Sequence, residues 1–220
     1  MAGFDWKKAR EAEKAGLSRI SALEKFKNNM AEIGFSTSGF DYYAGDLDTL
    51  RHMRNSFSKM AINFPDETKD VTIALRVDKD PGVYGWVDPG DPKTICFNRK
   101  AVMRWANLEA EYQELVQGNF FPKGTTADSI FFHEFGHSVW LQRGGGSLRK
   151  QVEKVLLDMG YGHVNVQKRE MAIIQCLSKY ATRQTNPALQ EVVAESFSEW
   201  YNGDNPREFC SRFLKEVGIT

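Results

Sequence analysis

The chain has 220 residues, with 29 basic against 29 acidic side chains, 41% hydrophobic residues and 26% charged ones, a balance that fits one soluble globular domain able to bury a single core. A formal net charge of zero gives no electrostatic basis for nucleic acid or an anionic membrane as partner. No run approaches the roughly 18 apolar residues that cross a bilayer, and the opening Met1-Ala-Gly-Phe-Asp-Trp-Lys-Lys8 lacks the basic-then-apolar order of a secretory signal, which predicts a cytoplasmic protein.

Residues 5 to about 33 read as a charged helix, because Leu17, Ile20, Leu23, Phe26, Met30 and Ile33 recur every three or four positions. Together with a loop of Ser, Thr, Gly and aromatic residues from Gly34 to Gly45, it makes residues 1–45 an N-terminal extension that either docks on the domain or protrudes as an arm for a partner protein. The domain proper, 46–220, starts with a helix from about Asp46 to Ile62 that ends near Pro65. Val71-Thr-Ile-Ala-Leu-Arg-Val77 is strand-like, and Val83 to Val87 with Thr94 to Phe97 flank the turn Pro89-Gly-Asp-Pro92 as a hairpin. The remaining pattern is helical, over about 99–117, 126–143, 147–159, 168–180, 187–202 and 206–217. A small antiparallel or mixed sheet first and helices afterwards predicts an α+β fold. Cys96, Cys176 and Cys210, odd in number and widely spaced, read as reduced core thiols.

The segment Ser129 to Leu141 carries the chemistry. At about 100° per residue, Ile130, Phe131, Phe132, Phe135, Val139, Trp140 and Leu141 surround nearly its whole circumference, so the helix is buried. His133 and His137 interrupt that surface four residues apart, on one face. Burying two imidazoles and the Glu134 carboxylate without partners costs several kcal/mol, and a metal ion that takes the imidazole lone pairs removes most of that cost. His133-Glu134-Phe135-Gly136-His137 is the H-E-x-x-H pattern, in which two histidines hold zinc and the glutamate reaches a water between them. The competing account is a buried helix whose histidines bond to backbone carbonyls. Gly136, at about 1 kcal/mol in a helix interior, marks a place where another backbone element comes close.

A catalytic zinc takes three protein ligands and leaves a position open. A metzincin would supply a third histidine six residues after the second, and that position is Arg143. His163, in a Gly-Tyr-Gly-His loop, is one remaining ligand; Glu191, in Glu191-Val-Val-Ala-Glu195-Ser-Phe-Ser-Glu199, is the stronger and would define a gluzincin arrangement. Glu195, one turn further on the same face, is spaced to accept the outer N–H of a ligating histidine. A solvated stripe of Glu191, Glu195, Ser198 and Glu199, opposite an apolar face of Val193, Phe197 and Trp200, would have the same pattern.

Ser178-Lys-Tyr180, Thr185-Asn186 and Glu191-Val-Val-Ala-Glu195-Ser-Phe197 follow the histidine motif in that order. The combination, over roughly residues 125–202, resembles the catalytic segment of anthrax lethal factor-like metallopeptidases, and of small peptidases of that type encoded by phages and mobile elements. The resemblance implies a zincin-like fold, Zn2+ bound with Glu191 as a ligand, Tyr180 polarising the substrate carbonyl and Glu195 supporting a ligand. Two departures stand out: a longer stretch between Tyr180 and Glu191, and Val192-Val193 in place of an aromatic pair.

The chemistry expected of these residues is metal-assisted hydrolysis of a peptide bond in a protein or peptide substrate, with zinc held by His133, His137 and Glu191 and with Glu134 as general base. The hairpin around Tyr84-Gly85-Trp86 to Phe97 offers an edge strand for extended peptide. Two other readings compete. One is a phage or mobile-element assembly protein, virion-associated, with a structural or vestigial zinc; an intact Glu134 weighs against it, since a structural zinc needs no general base. The other is a delivered effector that applies the same chemistry to a host protein.

Overall fold

In the computed structural model, which describes residues 6–80, 82–162, 165–182 and 189–220, the first helix, α1 (Trp6–Glu32), turns Leu23, Phe26 and Met30 into the core and leaves Leu17 and Ile20 exposed. Strand β1 (Phe35–Ser38) follows, inside the segment read from sequence as a loop. Only Phe35 of its four residues is large and apolar, too little alternation to betray a strand. What holds it is parallel pairing with β2 (Val71–Arg76), from Phe35 against Val71 to Ser38 against Ala74.

Helix α2 (Leu47–Asn63) is capped by Asp46, whose carboxylate accepts the Thr49 amide at 2.9 Å. The other oxygen of that carboxylate accepts the amide of Trp105, also at 2.9 Å, the first residue of α3 (Trp105–Gln117). One side chain thus sets the start of two helices. Residues 99–104, expected to be helical, instead turn around Asn98, whose side chain accepts the Lys100 amide at 3.2 Å.

Strands β3 (Gly85–Asp88) and β4 (Asp91–Asn98) form the expected hairpin with a tighter turn than the spacing suggested, since Asp91 and Pro92 already belong to β4. The sheet order is β1-β2-β4-β3. The pairs β1/β2 and β2/β4 are parallel and β3/β4 is antiparallel, so the sheet is mixed and β3 lies at an edge. The rest is helical: α4 (Ser129–Gln142), α5 (Arg149–Asp158), α6 (Val166–Cys176), α7 (Gln190–Asn202) and α8 (Glu208–Glu216). This is the α+β fold expected.

Helix α4 lies between the sheet and α7. The Phe131 ring meets Phe97 of β4 at 5.3 Å, Phe135 meets Phe57 of α2 at 6.4 Å, and Phe135 meets Phe197 of α7 at 5.9 Å. Each such buried ring contributes about 1.5–3 kcal/mol relative to exposure. Helix α6 stops at Cys176, short of the expected 180, because the amides of Lys179 and Tyr180 donate to the carbonyls of Asn119 and Phe120, both at 3.0 Å, instead of back along the helix. A short 3-10 turn, Tyr180–Thr182, results. The three cysteines are buried and free of disulfides; burial pushes the Cys176 thiol up to about 12 and that of Cys210 well above its ordinary value, so they are unreactive core residues. Among the described residues no helix is long and apolar enough to cross a membrane.

Candidate metal centre

The apolar circumference of α4 buries it on every side, as the sequence requires: Ile130 to Gly136 are all buried, His133 and Glu134 among them. Gly136 is where α7 comes close. A Cβ there would lie 2.9 Å from Cβ of Phe197 and 3.3 Å from Cα of Ala194. The glycine lets the helices approach until Glu191, in the first turn of α7, reaches the histidine face of α4.

His133 Nε2 lies 3.1 Å from His137 Nε2 and 3.1 Å from Glu191 Oε2, and His137 Nε2 lies 3.4 Å from Glu191 Oε1. Donors held at 2.0–2.1 Å by one tetrahedral zinc are about 3.3–3.4 Å apart, so the three side chains are already spaced as ligands. Among the described residues these are the three that could hold a metal ion together. On its other side, His133 Nδ1 lies 2.8 Å from Glu195 Oε1. The Ser178 hydroxyl donates to Glu195 Oε2 at 2.7 Å and accepts the Ala181 amide at 3.2 Å. A carboxylate only accepts, so the Nδ1 nitrogen carries the proton and Nε2 turns a lone pair toward the other two donors. A cation between two imidazoles and a carboxylate resolves that arrangement, and the donor set suits a divalent metal.

The electrostatics agree. Burial works against a charged His133, yet the bonds to Glu191 and Glu195 outweigh it and hold its pKa well above the ordinary histidine value. Burial likewise opposes a charged Glu191, but His137 and His133 hold its carboxyl far below the usual range. Positive charge, as a proton or a metal, is what the cluster is built to keep. For Glu134 burial dominates and raises the pKa, only partly offset by the two histidines. Its Oε2 is buried and has no hydrogen-bond partner among the described residues.

The triad and Glu134 line a cavity of about 660 Å³ whose walls include Tyr84, Trp86, Leu115, Phe120, Phe121 and Tyr180. The Tyr180 ring stands 5.6 Å from that of His133, edge to face, and 5.4 Å from both Phe120 and Phe121. Its backbone bond to Phe120 brings it there despite the long spacer before Glu191. His163, Thr185 and Asn186 lie outside the described residues. Arg143 is at the C-terminal end of α4, bonded to Glu67 and to the Gly218 carbonyl.

The solvated-stripe reading of α7 is overturned. Glu191, Glu195 and Glu199 are 4%, 1% and 0% exposed, whereas Trp200, assigned to the apolar face, is 36% exposed. Sequence reasoning also missed two groups. Glu199 is buried against the Arg207 guanidinium, which donates to both its oxygens at 2.8 and 2.6 Å. Ser178 buttresses Glu195. The bond joins positions 17 apart across a turn, and a lone serine carries no local signal for such a contact.

No family model, no curated protein and no solved structure matches this chain. The His133-Glu134-x-x-His137 motif and the distal Glu191 form a compact ligand cluster consistent with the catalytic zinc site of a gluzincin-type peptidase, set in the mixed sheet, site helix and C-terminal helices of a zincin-like fold.

Proposed function

We propose that the protein is a zinc-dependent endopeptidase, related to the lethal factor-like metallopeptidases that its motifs resemble. The observation that carries this reading is the buried His133–His137–Glu191 cluster beside Glu134 in the wall of a cavity. His133, His137 and Glu191 would hold the zinc, which when bound would lower the pKa of a water to about 7 and polarise the scissile carbonyl. Glu134 accepts the water's proton at its carboxylate and passes it to the leaving nitrogen. Its buried Oε2, without a hydrogen-bond partner among the described residues, supports that role, since no donor of those residues competes for it. Glu195, held by Ser178, fixes the His133 tautomer. Tyr180 donates its hydroxyl proton in a hydrogen bond to the oxyanion. Peptide lies along the edge of β3, with a large apolar side chain against the aromatic walls.

The test is cleavage of a degenerate peptide library by the zinc-loaded protein, with a chelator as control. Cuts that vanish with chelator and return with zinc are expected, beside large apolar residues. Metal-loaded protein that cuts nothing would favour the assembly-protein reading, in which the exposed Leu17 and Ile20 of α1 serve a partner.

Tyr180→Phe is expected to lower kcat by about 10²- to 10³-fold, the usual loss for one oxyanion donor, with little change in KM because the bond forms in the transition state. The ring would still pack on Phe120 and Phe121. A loss of stability near 1 kcal/mol with turnover intact would mark Tyr180 as an anchor only.

A further inference from the structure

Gly85, the first residue of β3, sits directly over the side chain of Glu134. A Cβ on Gly85 would lie 2.8 Å from Glu134 Cγ, 3.1 Å from Glu134 Cδ and 3.0 Å from the Cys96 carbonyl oxygen, and at under 3.0 Å something must shift. Cys96 is fixed, since β4 is paired on both sides, with Ala74 of β2 and Trp86 of β3. Cα of Glu134 is fixed within buried α4. The movable part is the Glu134 side chain beyond Cβ, which ends in the carboxylate.

The backbone of Gly85 has a second orientation to satisfy. The Asn98 amide donates to the Tyr84 carbonyl at 2.8 Å, which makes Tyr84 and Asn98 a hydrogen-bonded antiparallel pair. Pairs alternate, so Gly85 opposite Phe97 is a non-hydrogen-bonded pair, and its N–H and C=O turn away from β4 toward the open edge. Gly85 therefore faces the cleft with its peptide groups and Glu134 with the space where a side chain would be.

Resting on the peptidase reading above, we propose that Gly85 is the positioning residue of Glu134: the bare backbone of the edge strand confines the carboxylate to one rotamer and sets its distance from the triad and from a peptide lying along β3. A β-carbon there tilts the carboxylate out of line. Displacements of about 1 Å in catalytic geometry cost up to about 10²-fold in rate.

The experiment compares wild type, Gly85→Ala, Glu134→Ala and the double variant, all zinc-loaded. Gly85→Ala is expected to lower kcat by about 10- to 100-fold, with KM within about threefold and zinc content unchanged, because the atoms nearest the added methyl belong to Glu134 and Cys96 and not to His133, His137 or Glu191. Its melting temperature should fall by about 2–6 °C, and by less than half as much in the Glu134→Ala background, where Cγ is gone. If Gly85→Ala alone does not fold, recovery of folded protein in the double variant supports the proposal. Unaltered kcat, an equal thermal loss in both backgrounds, or a double variant that also fails to fold overturns it, since the cost of the added carbon would then not come from Glu134. If the wild type cuts no peptide, the peptidase reading falls, and the melting comparison still decides whether Gly85 confines Glu134.

Discussion

Glu134→Gln is expected to remove peptide hydrolysis while leaving zinc content and folding as they are. The amide keeps the volume, the helix propensity and the packing against Gly85, and takes away only the ability to accept a proton. General bases contribute about 10²–10⁴ in rate, so library cleavage should fall below detection. Stability should not suffer. Among the described residues Glu134 Oε2 has no hydrogen bond to lose, and burial already opposes the charged form by raising its pKa, so replacing it by a neutral group relieves a desolvation cost. The melting temperature is expected within about 2 °C of wild type, which corresponds to less than about 1 kcal/mol for a chain of this size. A variant that keeps a tenth or more of the wild-type rate would remove Glu134 from proton transfer.

The parts of this site that were legible in sequence share one property: their signal is local and periodic. His133, Glu134 and His137 stand at helical spacing inside an apolar helix, and Glu191 and Glu195 stand one turn apart, so residue order alone gave their faces. What α7 packs against was not local. Whether its carboxylates met water or α4 depended on a contact across more than fifty residues, and only Gly136, costly in a helix interior, hinted at it. The Glu199–Arg207 pair shows the same limit from the other side. Its partners are eight residues apart, but the turn that joins them follows the end of α7, beyond any helical repeat. Strand β1 and the early end of α6 escaped because tertiary hydrogen bonds override weak local preference there: pairing with β2 makes a strand of Phe-Ser-Thr-Ser, and the carbonyls of Asn119 and Phe120 draw Lys179 and Tyr180 out of the helix.

That last detour matters for chemistry. If α6 had run to residue 180, as its periodicity suggested, Tyr180 would have stayed on a helix face instead of crossing to the wall beside His133. The Ser178 hydroxyl, which spans the Ala181 amide and Glu195, ties the Tyr180 turn to the carboxylate that holds His133. The Tyr180 turn and the carboxylate that holds His133 are therefore one hydrogen-bonded unit.

Glu191→Ala and Glu195→Ala should separate along that unit. Glu191 offers an oxygen to each histidine, at 3.1 and 3.4 Å, and its removal leaves two imidazoles to hold the ion. Structural zinc sites with four ligands gain about 10–16 kcal/mol in all, roughly 2.5–4 kcal/mol per ligand, so the affinity for zinc is expected to fall by about 10²- to 10³-fold. Glu195 meets His133 at its outer nitrogen, Nδ1, away from the other two donors, and such supporting carboxylates are worth about 10- to 100-fold in metal affinity. Competition with a calibrated chelator measures both, without any need for a substrate. The order of the two losses is the decisive quantity. Equal zinc affinity in wild type and Glu191→Ala would take Glu191 out of the ligand set and bring His163 forward, whereas a larger loss in Glu195→Ala would mean that the orientation of His133, more than the third donor, holds the metal.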